Sequence, residues 1–313
     1  MCQKIVKRIH IASLGGFDLD LPIIKIGDGS PKLLIVNNLH GNELSGFYIL
    51  EEFLKYLPKI QGTLGIISSV NPLGLIHKHR LLPLDFVDLN RNYPPRDKER
   101  GINVVIKEKL IELGLNYDVI IDIHNFTRPS LSAGVVIEQM SEDLKKTMNN
   151  CFRVLRTDIV IVMSKRIEEE KRAANSFTSY LANQGKLAFG VEYPSTPQLD
   201  SKQINKYATG LKDLLNVIGL VNQQGFNLNS YLLPPIFQRQ QIISRTTSLF
   251  IPSKKLWDKI DAGDILGHVI DIASLQRESL SSPYGGILTE ISDRRLCVFG
   301  EKVATIGKQL EKF

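Results

Sequence analysis

The stretch Lys32-Leu-Leu-Ile-Val-Asn-Asn-Leu-His-Gly-Asn-Glu43 runs from an apolar segment directly into a histidine and a glutamate, His40 and Glu43. Two later apolar runs end in the same way, one at His124 and the other at Glu192. Short apolar runs of this kind are typical of buried strands. Ligands of an open α/β sheet bind outside the carboxyl ends of its strands. We therefore expect these four polar side chains to meet at one edge of a sheet.

The chemistry of these four side chains indicates a hydrolytic zinc site. Two imidazoles and one carboxylate can bind Zn²⁺ and leave its fourth position open for water, which assigns His40, Glu43 and His124 as ligands. Glu192 can take the proton from that water. The alternative for Glu192 is a capping or ion-paired role, because a buried carboxylate needs a partner. We predict one zinc ion per chain, with Glu192 as the catalytic base.

The first 220 residues alternate short apolar runs with longer amphipathic stretches. This alternation predicts an α/β domain of three layers over residues 1–222, with a mixed, largely parallel sheet. The predicted strands are 32–37, 63–70, 118–124, 133–138, 158–163 and 187–192. The predicted helices are 43–57, 99–115, 141–153, 172–184 and 200–218.

The pattern changes after about residue 220. A polar stretch at 222–230 precedes two prolines, and short β-prone runs then alternate with Gly, Asp, Ser and Pro. This predicts a small all-β domain over 228–313, similar to the barrel-sandwich hybrids that carry biotin or lipoate. The turn at 291–295 lacks the lysine that would carry such a cofactor. We therefore interpret this domain as structural.

Composition narrows the class of protein. The chain has 313 residues, 43% of them hydrophobic, which is ordinary for a globular protein. Its net charge of +6 comes from scattered Lys and Arg without a run of five, so we expect no nucleic-acid partner. No apolar run reaches the roughly 18 residues of a membrane span. Three distant cysteines without a CxxC pair fit the reducing cytoplasm, and a homo-oligomer stays open.

A second group of polar residues lies between positions 80 and 91. Arg91 can bind a planar carboxylate through two parallel hydrogen bonds, and Asn90 beside it adds a donor. Asp88 could accept the free ring N–H of a zinc-bound histidine and so fix its orientation. Arg80 could stabilise the oxyanion that forms on an attacked carbonyl. The alternative is that residues 77–80, His-Lys-His-Arg, are simply a basic surface loop.

Together these motifs resemble the succinylglutamate desuccinylase/aspartoacylase family of the zinc carboxypeptidase-like superfamily. The matching motifs are His40-Gly-Asn-Glu43, Asn71-Pro72, Arg80, Asp88-Leu-Asn-Arg91, Asp122-Ile-His-Asn125 and Gly190-Val-Glu192. Family members hydrolyse the amide bond that joins an acyl group to an amino acid, and the resemblance implies the same reaction for this chain. It implies the same zinc ligands, Glu192 as general base and acid, and Arg80 at the oxyanion. It also implies that Asn90 and Arg91 hold the substrate.

The resemblance has two gaps. The family's aspartoacylases have an arginine ten residues before the catalytic glutamate, where this chain has Ala182. Their substrate-binding tyrosine near the C-terminal end has Tyr284 as its candidate here. We predict a zinc-dependent amidohydrolase that acts on a small N-acylated amino acid with a free carboxylate. The alternatives are a zinc carboxypeptidase that acts on short peptides and a binding protein that has lost activity.

Overall fold

A computed structural model describes residues 4–96, 98–138, 141–164, 175–293 and 295–311. In this part of the chain one sheet has twelve strands and a second sheet has four. The strands of the N-terminal part are β1 (Lys4–Leu14), β2 (Phe17–Asp28), β3 (Lys32–Asn37), β4 (Gly62–Ile67), β5 (Val119–Asn125), β6 (Ala133–Ile137), β7 (Ile159–Met163) and β8 (Leu187–Tyr193). The strands of the C-terminal part are β9 (Ile236–Ile243), β10 (Ser248–Pro252), β11 (Lys259–Ile260), β12 (Ile265–Asp271), β13 (Arg277–Ser281), β14 (Gly286–Ile291), β15 (Arg295–Cys297) and β16 (Lys302–Leu310).

The large sheet has the strand order β1-β2-β4-β3-β5-β8-β6-β7-β9-β16-β14-β11. Strands β4, β3, β5 and β8 are parallel, whereas β6 runs antiparallel to β8 and parallel to β7. The carboxyl ends of β3, β5 and β8 therefore lie at the same edge, which is where the sequence predicted the functional residues. The mixed, largely parallel sheet confirms the predicted fold class.

Helices cover both faces of the large sheet. Nearly every residue of its central strands is therefore buried. The helices are α1 (Ser45–Lys55), α2 (Pro72–Ile76), α3 (Ile102–Leu115), α4 (Glu142–Val154), α5 (Phe177–Asn183) and α6 (Ser201–Val217). One face packs against α1, α4 and α6 through buried Phe53, Phe152 and Tyr207. The other face packs against α3 and α5 through Ile106 and Phe177. This arrangement confirms the three layers.

Local sequence signals account for several helix ends. Helix α6 begins with a capping box, in which Asp200 accepts from the backbone N–H of Gln203 and the Gln203 side chain accepts from the backbone of Asp200. Helix α5 begins after Ser176, whose hydroxyl accepts from the N–H of Ser179. The helix predicted over 172–184 starts with residues 172–174, which lie outside the described residues. The part that is described begins as a helix at Phe177.

The C-terminal segment contributes to both sheets. Strands β9, β16, β14 and β11 continue the large sheet, and β9 pairs in parallel with β7. Strands β13, β12, β10 and β15 form the antiparallel sheet of four. A separate apolar core, which includes Phe250, Leu266 and Leu288, lies between the C-terminal strands. The division into domains at 1–222 and 228–313 stays a prediction.

The structure also contains strands that the sequence pattern did not predict. The hairpin β1–β2 was missed because β1 is largely exposed and therefore lacks a long apolar run. Strand β9 was missed because Gln238-Arg-Gln-Gln241 interrupts its apolar ends. Conversely, β4 ends at Ile67, three residues before the end of the predicted strand at 70.

Two further features concern membrane-spanning helices and the state of the cysteines. Among the described residues, no helix combines the length and the apolar character needed to cross a membrane. Cys151 and Cys297 are buried and carry free thiols. Burial raises the pKa of the Cys151 thiol to about 12, so this group is an unreactive part of the core.

Candidate metal centre and active site

The predicted ligands meet at the edge formed by β3, β5 and β8. His124 near the end of β5 lies directly beside Glu192 on β8 in the parallel register, so both side chains point to the same face. His40 and Glu43 lie in the short loop between β3 and α1. Asn38 fixes this loop, since its side-chain amide donates to the carbonyls of His40 at 3.0 Å and Glu43 at 3.2 Å. Asn38 has a φ of 61°, a left-handed conformation that asparagine tolerates.

Close packing explains the glycine between the two loop ligands. A Cβ atom at Gly41 would lie 2.0 Å from the carbonyl carbon of Gly74 in α2. No side chain can occupy that space without a backbone shift. The loop that carries His40 and Glu43 is therefore pressed against α2, and this contact sets the depth of both ligands.

The donor atoms of the three predicted ligands converge. The Nδ1 atom of His40 lies 2.8 Å from Oε1 of Glu43, and the Nδ1 atom of His124 lies 2.8 Å from Oε2 of Glu43. All three side chains are buried, and ligand atoms from each lie within 4.8 Å of one another. Two neutral imidazole nitrogens and one carboxylate are the donor set of catalytic zinc sites. The residues present therefore fit a zinc ion.

Each imidazole is oriented by a carboxylate on its far side. The Nε2 atom of His40 lies 3.0 Å from Oδ1 of Asp88, and the Nε2 atom of His124 lies 2.7 Å from Oδ2 of Asp122. A carboxylate at this position holds the ring N–H at Nε2, so Nδ1 is the nitrogen that would give up its proton and bind a metal. The contact between Asp88 and His40 is the one that the sequence suggested. The partnership between Asp122 and His124 was missed.

Electrostatics in this cluster match the geometry. Burial alone would raise the pKa of Glu43, but the charges of His40 and His124 outweigh it and hold that pKa well below its ordinary range. Burial likewise favours protonation of Asp88, yet its hydrogen bond to His40 and the neighbouring arginines keep its pKa low. Both carboxylates are therefore ionised, as a ligand and an imidazole partner must be.

Asn90, which was predicted to bind the substrate together with Arg91, lies beside His124 and Asp122. Its Nδ2 atom donates to Oδ2 of Asp122 at 3.2 Å and lies 2.9 Å from Nε2 of His124. Its Oδ1 atom accepts from the backbone N–H of Phe177 at 3.0 Å. Both ends of the amide are thus engaged in holding Asp122 and α5 in place. Direct contact between Asn90 and a substrate stays a prediction.

Arg80 and Arg91 line the same cavity as His40 and His124. The Arg80 guanidinium contacts Oδ2 of Asp88 through Nε at 3.2 Å and Nη2 at 3.1 Å, and Oε1 of Glu43 through Nη1 at 3.3 Å. Arg91 donates from Nη1 to its neighbour's carbonyl, Asn90 O, at 2.7 Å. Burial lowers the pKa of Arg91, although Asp88 opposes this shift. Arginine nevertheless keeps its charge in proteins, so both side chains are fixed cations.

Glu192 has the environment of a proton acceptor and donor. Burial raises its pKa, which the charge of His124 opposes and the charge of Glu43 reinforces. A carboxylate with a raised pKa is a better base for water and a better acid afterwards. The capping role considered from the sequence has no support in the contacts of the described residues, because Glu192 lines the cavity.

One cavity joins these groups. The residues that line it are His40, Arg80, Asn90, Arg91, Asp122, His124, Val135, Met163, Ser176, Thr178, Gly190, Glu192 and Arg239. Tyr284 is not among them and packs, partly buried, against the C-terminal core. Its role in substrate binding stays a prediction. Arg239 on β9 was missed, because the polar run that contains it gives no sign that β9 pairs with β7.

The carboxylate beside His124 leads to a first testable prediction. Asp122→Asn keeps the size of the side chain but removes the charge that fixes the Nε2 proton of His124. We expect zinc affinity to fall by about 10–100-fold, the usual cost of losing such a partner. Competition for zinc against a fluorescent chelator measures the change. Asp28→Asn, at an exposed position on β2, is the matched control, and equal affinities for the two variants would contradict the role of Asp122.

Comparisons with known proteins agree with this fold. A model of the succinylglutamate desuccinylase/aspartoacylase catalytic domain matches residues 29–218, more than half of the chain. A search of curated protein sequences finds no match. The family that this model describes consists of deacylases, which are hydrolases. The chain belongs to the succinylglutamate desuccinylase/aspartoacylase family.

Solved structures are similar over almost the whole chain. A succinylglutamate desuccinylase/aspartoacylase from Rhodobacter sphaeroides has a TM-score of 0.83 at 17% identity and covers 99% of this chain and 96% of its own. An aspartoacylase family protein from Mesorhizobium loti has a TM-score of 0.80 at 21% identity, covering 100% and 96%. The ectoine utilization protein from Ruegeria pomeroyi, solved with product bound, has a TM-score of 0.81 at 16% identity, covering 97% and 94%. At these identities the likeness concerns the fold.

Proposed function

We propose that this chain is a zinc-dependent amidohydrolase that removes the acyl group from a small N-acylated amino acid with a free carboxylate. The observation that carries the proposal is the cluster of His40, Glu43 and His124 with Glu192 in the same cavity. Each imidazole has a carboxylate on its far side, as expected for a metal ligand. A structural ion-pair cluster would not need a fourth carboxylate with a raised pKa beside it.

Zinc would be held by His40, Glu43 and His124. When bound, zinc lowers the pKa of a water molecule and polarises the carbonyl that this water attacks. The remaining parts of the reaction belong to the protein. The ligands are buried, and the His40 and His124 rings donate hydrogen bonds to Asp88 and Asp122. These contacts fix the ligand geometry before substrate arrives, so little reorganisation is needed during catalysis.

Glu192 moves the proton. In the forward step its carboxylate accepts a proton from the attacking water, and it then delivers that proton to the nitrogen of the leaving amine. Its position opposite His124 in the strand register places it beside the ligand cluster. The same register puts Gly190 beside Asp122, and the absence of a side chain there leaves room for the substrate between the two strands.

Arg80 and Arg91 bind different groups of the substrate: Arg80 the attacked carbonyl oxygen and Arg91 the carboxylate. Arg80 contacts Glu43, a predicted zinc ligand, so its guanidinium lies near the position of the attacked carbonyl. It can donate hydrogen bonds as negative charge builds on that oxygen. Arg91 is held by the carbonyl of Asn90 and faces the same cavity, where its planar group can bind a carboxylate through two hydrogen bonds.

This division of roles leads to a kinetic prediction. Arg91→Lys should raise KM for a substrate acid by roughly tenfold or more, because lysine cannot copy the paired hydrogen bonds. The KM for the matching amide or ester should change far less. Arg80→Ala should instead lower kcat for acid and ester alike by about 10²–10³-fold, since its partner forms only during the reaction. Steady-state kinetics on both compounds tests the two roles, and one shared signature would contradict them.

A screen of substrates tests the proposal as a whole. Amine release from a panel of N-acylated amino acids is measured with and without a chelator, beside a panel of short peptides. We expect release from the acylated amino acids, lost with the chelator and restored by zinc. Cleavage of the peptides alone would favour the carboxypeptidase alternative. Binding without turnover of any compound would favour the inactive binding protein.

Two further predictions concern the cellular location and the oligomeric state. The buried free thiols of Cys151 and Cys297 support the cytoplasmic location that the cysteine pattern predicts. A homo-oligomer also stays a prediction. Size measurement of the purified protein by light scattering would settle the oligomeric state.

A further inference from the structure

The smaller sheet of four strands has one face against the C-terminal core and its other face in solvent. On β10, Ser248 and Phe250 are fully buried, whereas Leu249 between them is 44% exposed. Successive side chains of a strand point to opposite faces, so Leu249 belongs to the outer face. The strand registers put Leu296 of β15 and Ile270 of β12 directly beside Leu249. A row of aliphatic side chains therefore crosses three strands on the outer face.

More apolar side chains lie at one end of this row, where Ile272 and Leu275 form part of the turn between β12 and β13. Val298 and Phe299 directly follow β15. Because β12 and β15 both run antiparallel to β10, these two groups lie on either side of the start of β10. A hydrogen bond from the backbone N–H of Phe299 to Oγ1 of Thr247, at 3.2 Å, holds the second group there. The outer patch consists of six exposed residues: Leu249, Ile272, Leu275, Leu296, Val298 and Phe299.

Leu275 is 74% exposed although its backbone is strained. Its φ of 56° is in the left-handed region, which a leucine rarely adopts. The turn fixes this conformation: the N–H of Leu275 donates to Asp271 O at 2.9 Å, and the Asp271 carboxylate accepts from the N–H and hydroxyl of Ser274 at 2.7 Å each. An exposed leucine gains little packing within its own chain to offset such strain. Contact of this side chain with another molecule would offset it.

The outer patch is large enough for an interface between two copies of the chain. From their exposed fractions, its six residues present on the order of 500 Å² of apolar surface, which is near the upper limit for a monomeric protein. A two-fold axis uses the same patch on both copies, which gives on the order of 1,000 Å² before the polar rim is added. Specific interfaces begin at about this total area. Aliphatic side chains on a sheet face are also what packs between the two sheets of a β-sandwich.

The charges on this face favour a second copy over a charged partner. Among the described residues of the four strands, Arg277 on β13 is the one arginine or lysine whose register places it on the outer face, beside Ile270. Nucleic acids and anionic membranes bind clusters of cations, and these described residues form no such cluster. Arg277 lies at one edge of the sheet, whereas β15 forms the other edge. A two-fold axis parallel to the strands therefore puts the two copies of Arg277 at opposite edges, where they do not repel each other.

We propose that the outer patch is the interface of a homodimer, in which the outer faces of two four-stranded sheets pack together across a two-fold axis. Leu249 and Leu296 lie at the centre of this interface, and Leu275 is buried against the second copy. The cavity at the candidate metal centre is lined by other residues. The proposal is therefore independent of the proposed reaction, and changes in the patch should leave the zinc content unaffected.

Light scattering of the purified full chain during gel filtration, at a series of concentrations, tests the proposal. We expect the wild type to have twice the mass of one chain. Leu249→Lys and Leu296→Lys should each raise the dissociation constant of the dimer by at least about 100-fold, because each would bury a charge without a partner. Leu232→Lys is the matched control. This leucine is 86% exposed in the segment before β9, outside the patch, and its replacement should leave the dimer intact.

A third variant weakens the dimer while the fold is preserved. Glycine adopts the φ of Leu275 without strain, so Leu275→Gly should change the melting temperature of the diluted, monomeric protein little. Circular dichroism measures that temperature. The variant also removes an apolar side chain from the interface, and we expect the dissociation constant to rise by about tenfold.

Two results would overturn the proposal. The first is a wild type that is monomeric throughout the concentration series, even if it binds lipid vesicles or another protein. The second is a dimeric wild type whose dissociation constant is unchanged in all three patch variants, since the dimer would then use a different surface.

Discussion

Glu192→Gln should reduce kcat by about 10²–10⁴-fold while the protein keeps its fold and its zinc. Glutamine has nearly the same shape as glutamate, so the cavity and the strand register beside His124 are preserved. It cannot accept a proton from water or return one to the amine. The side chain is not among the three that converge as metal ligands, so zinc content should stay at the wild-type level. Steady-state kinetics and elemental analysis on the same preparation measure both properties.

The matched control for this variant is Glu278→Gln, which removes a carboxylate from the exposed strand β13. It should have wild-type kcat and wild-type zinc content. A Glu192→Gln variant with near wild-type kcat on the true substrate would show that another group moves the proton. Loss of zinc in this variant would instead show that Glu192 is a ligand.

Replacing both histidines, His40→Ala with His124→Ala, should abolish zinc binding. The two Nδ1 atoms supply two of the three protein ligands, and the Glu43 carboxylate alone is a weak site for zinc. Each replacement also leaves a carboxylate, the half-buried Asp88 or the buried Asp122, without its imidazole partner. We therefore expect a lower melting temperature as well as loss of all activity. Elemental analysis after gel filtration measures the zinc.

A control for the loss of histidine is His268→Ala on β12, far along the chain in the smaller sheet. This variant should retain close to one zinc per chain. Full zinc occupancy in the double variant would rule out the site. Circular dichroism on the same samples would separate loss of zinc from loss of the fold.

The sequence predicts the centre of the fold well because burial there leaves a simple pattern. The run at 32–37 is buried along almost its whole length and was assigned to its correct bounds. Polar residues that end such runs are conspicuous, so His124 and Glu192 could be assigned to one sheet edge before the structure. His40 and Glu43 could be added because they follow the same kind of strand.

Other parts of the site depend on contacts between residues that a local sequence pattern does not reveal. Asp122 was recognisable in principle, because it precedes His124 by two residues and a strand puts both on one face. Arg239 gives no such signal. Its place in the cavity depends on β9 pairing with β7, and that strand is more than 70 residues earlier in the chain. Asn90 shows a third case, in which the residue was recognised but its hydrogen bonds with Asp122 and Phe177 were not.

The most direct test of the zinc-dependent amidase is a titration of metal-free protein with zinc while amine release is followed. The substrate is the N-acylated amino acid that performs best in the screen. We predict that activity rises linearly and levels off at one zinc per chain, with no rise for the His40→Ala, His124→Ala double variant. Full amine release from metal-free wild-type protein, unchanged by added zinc, would contradict the account.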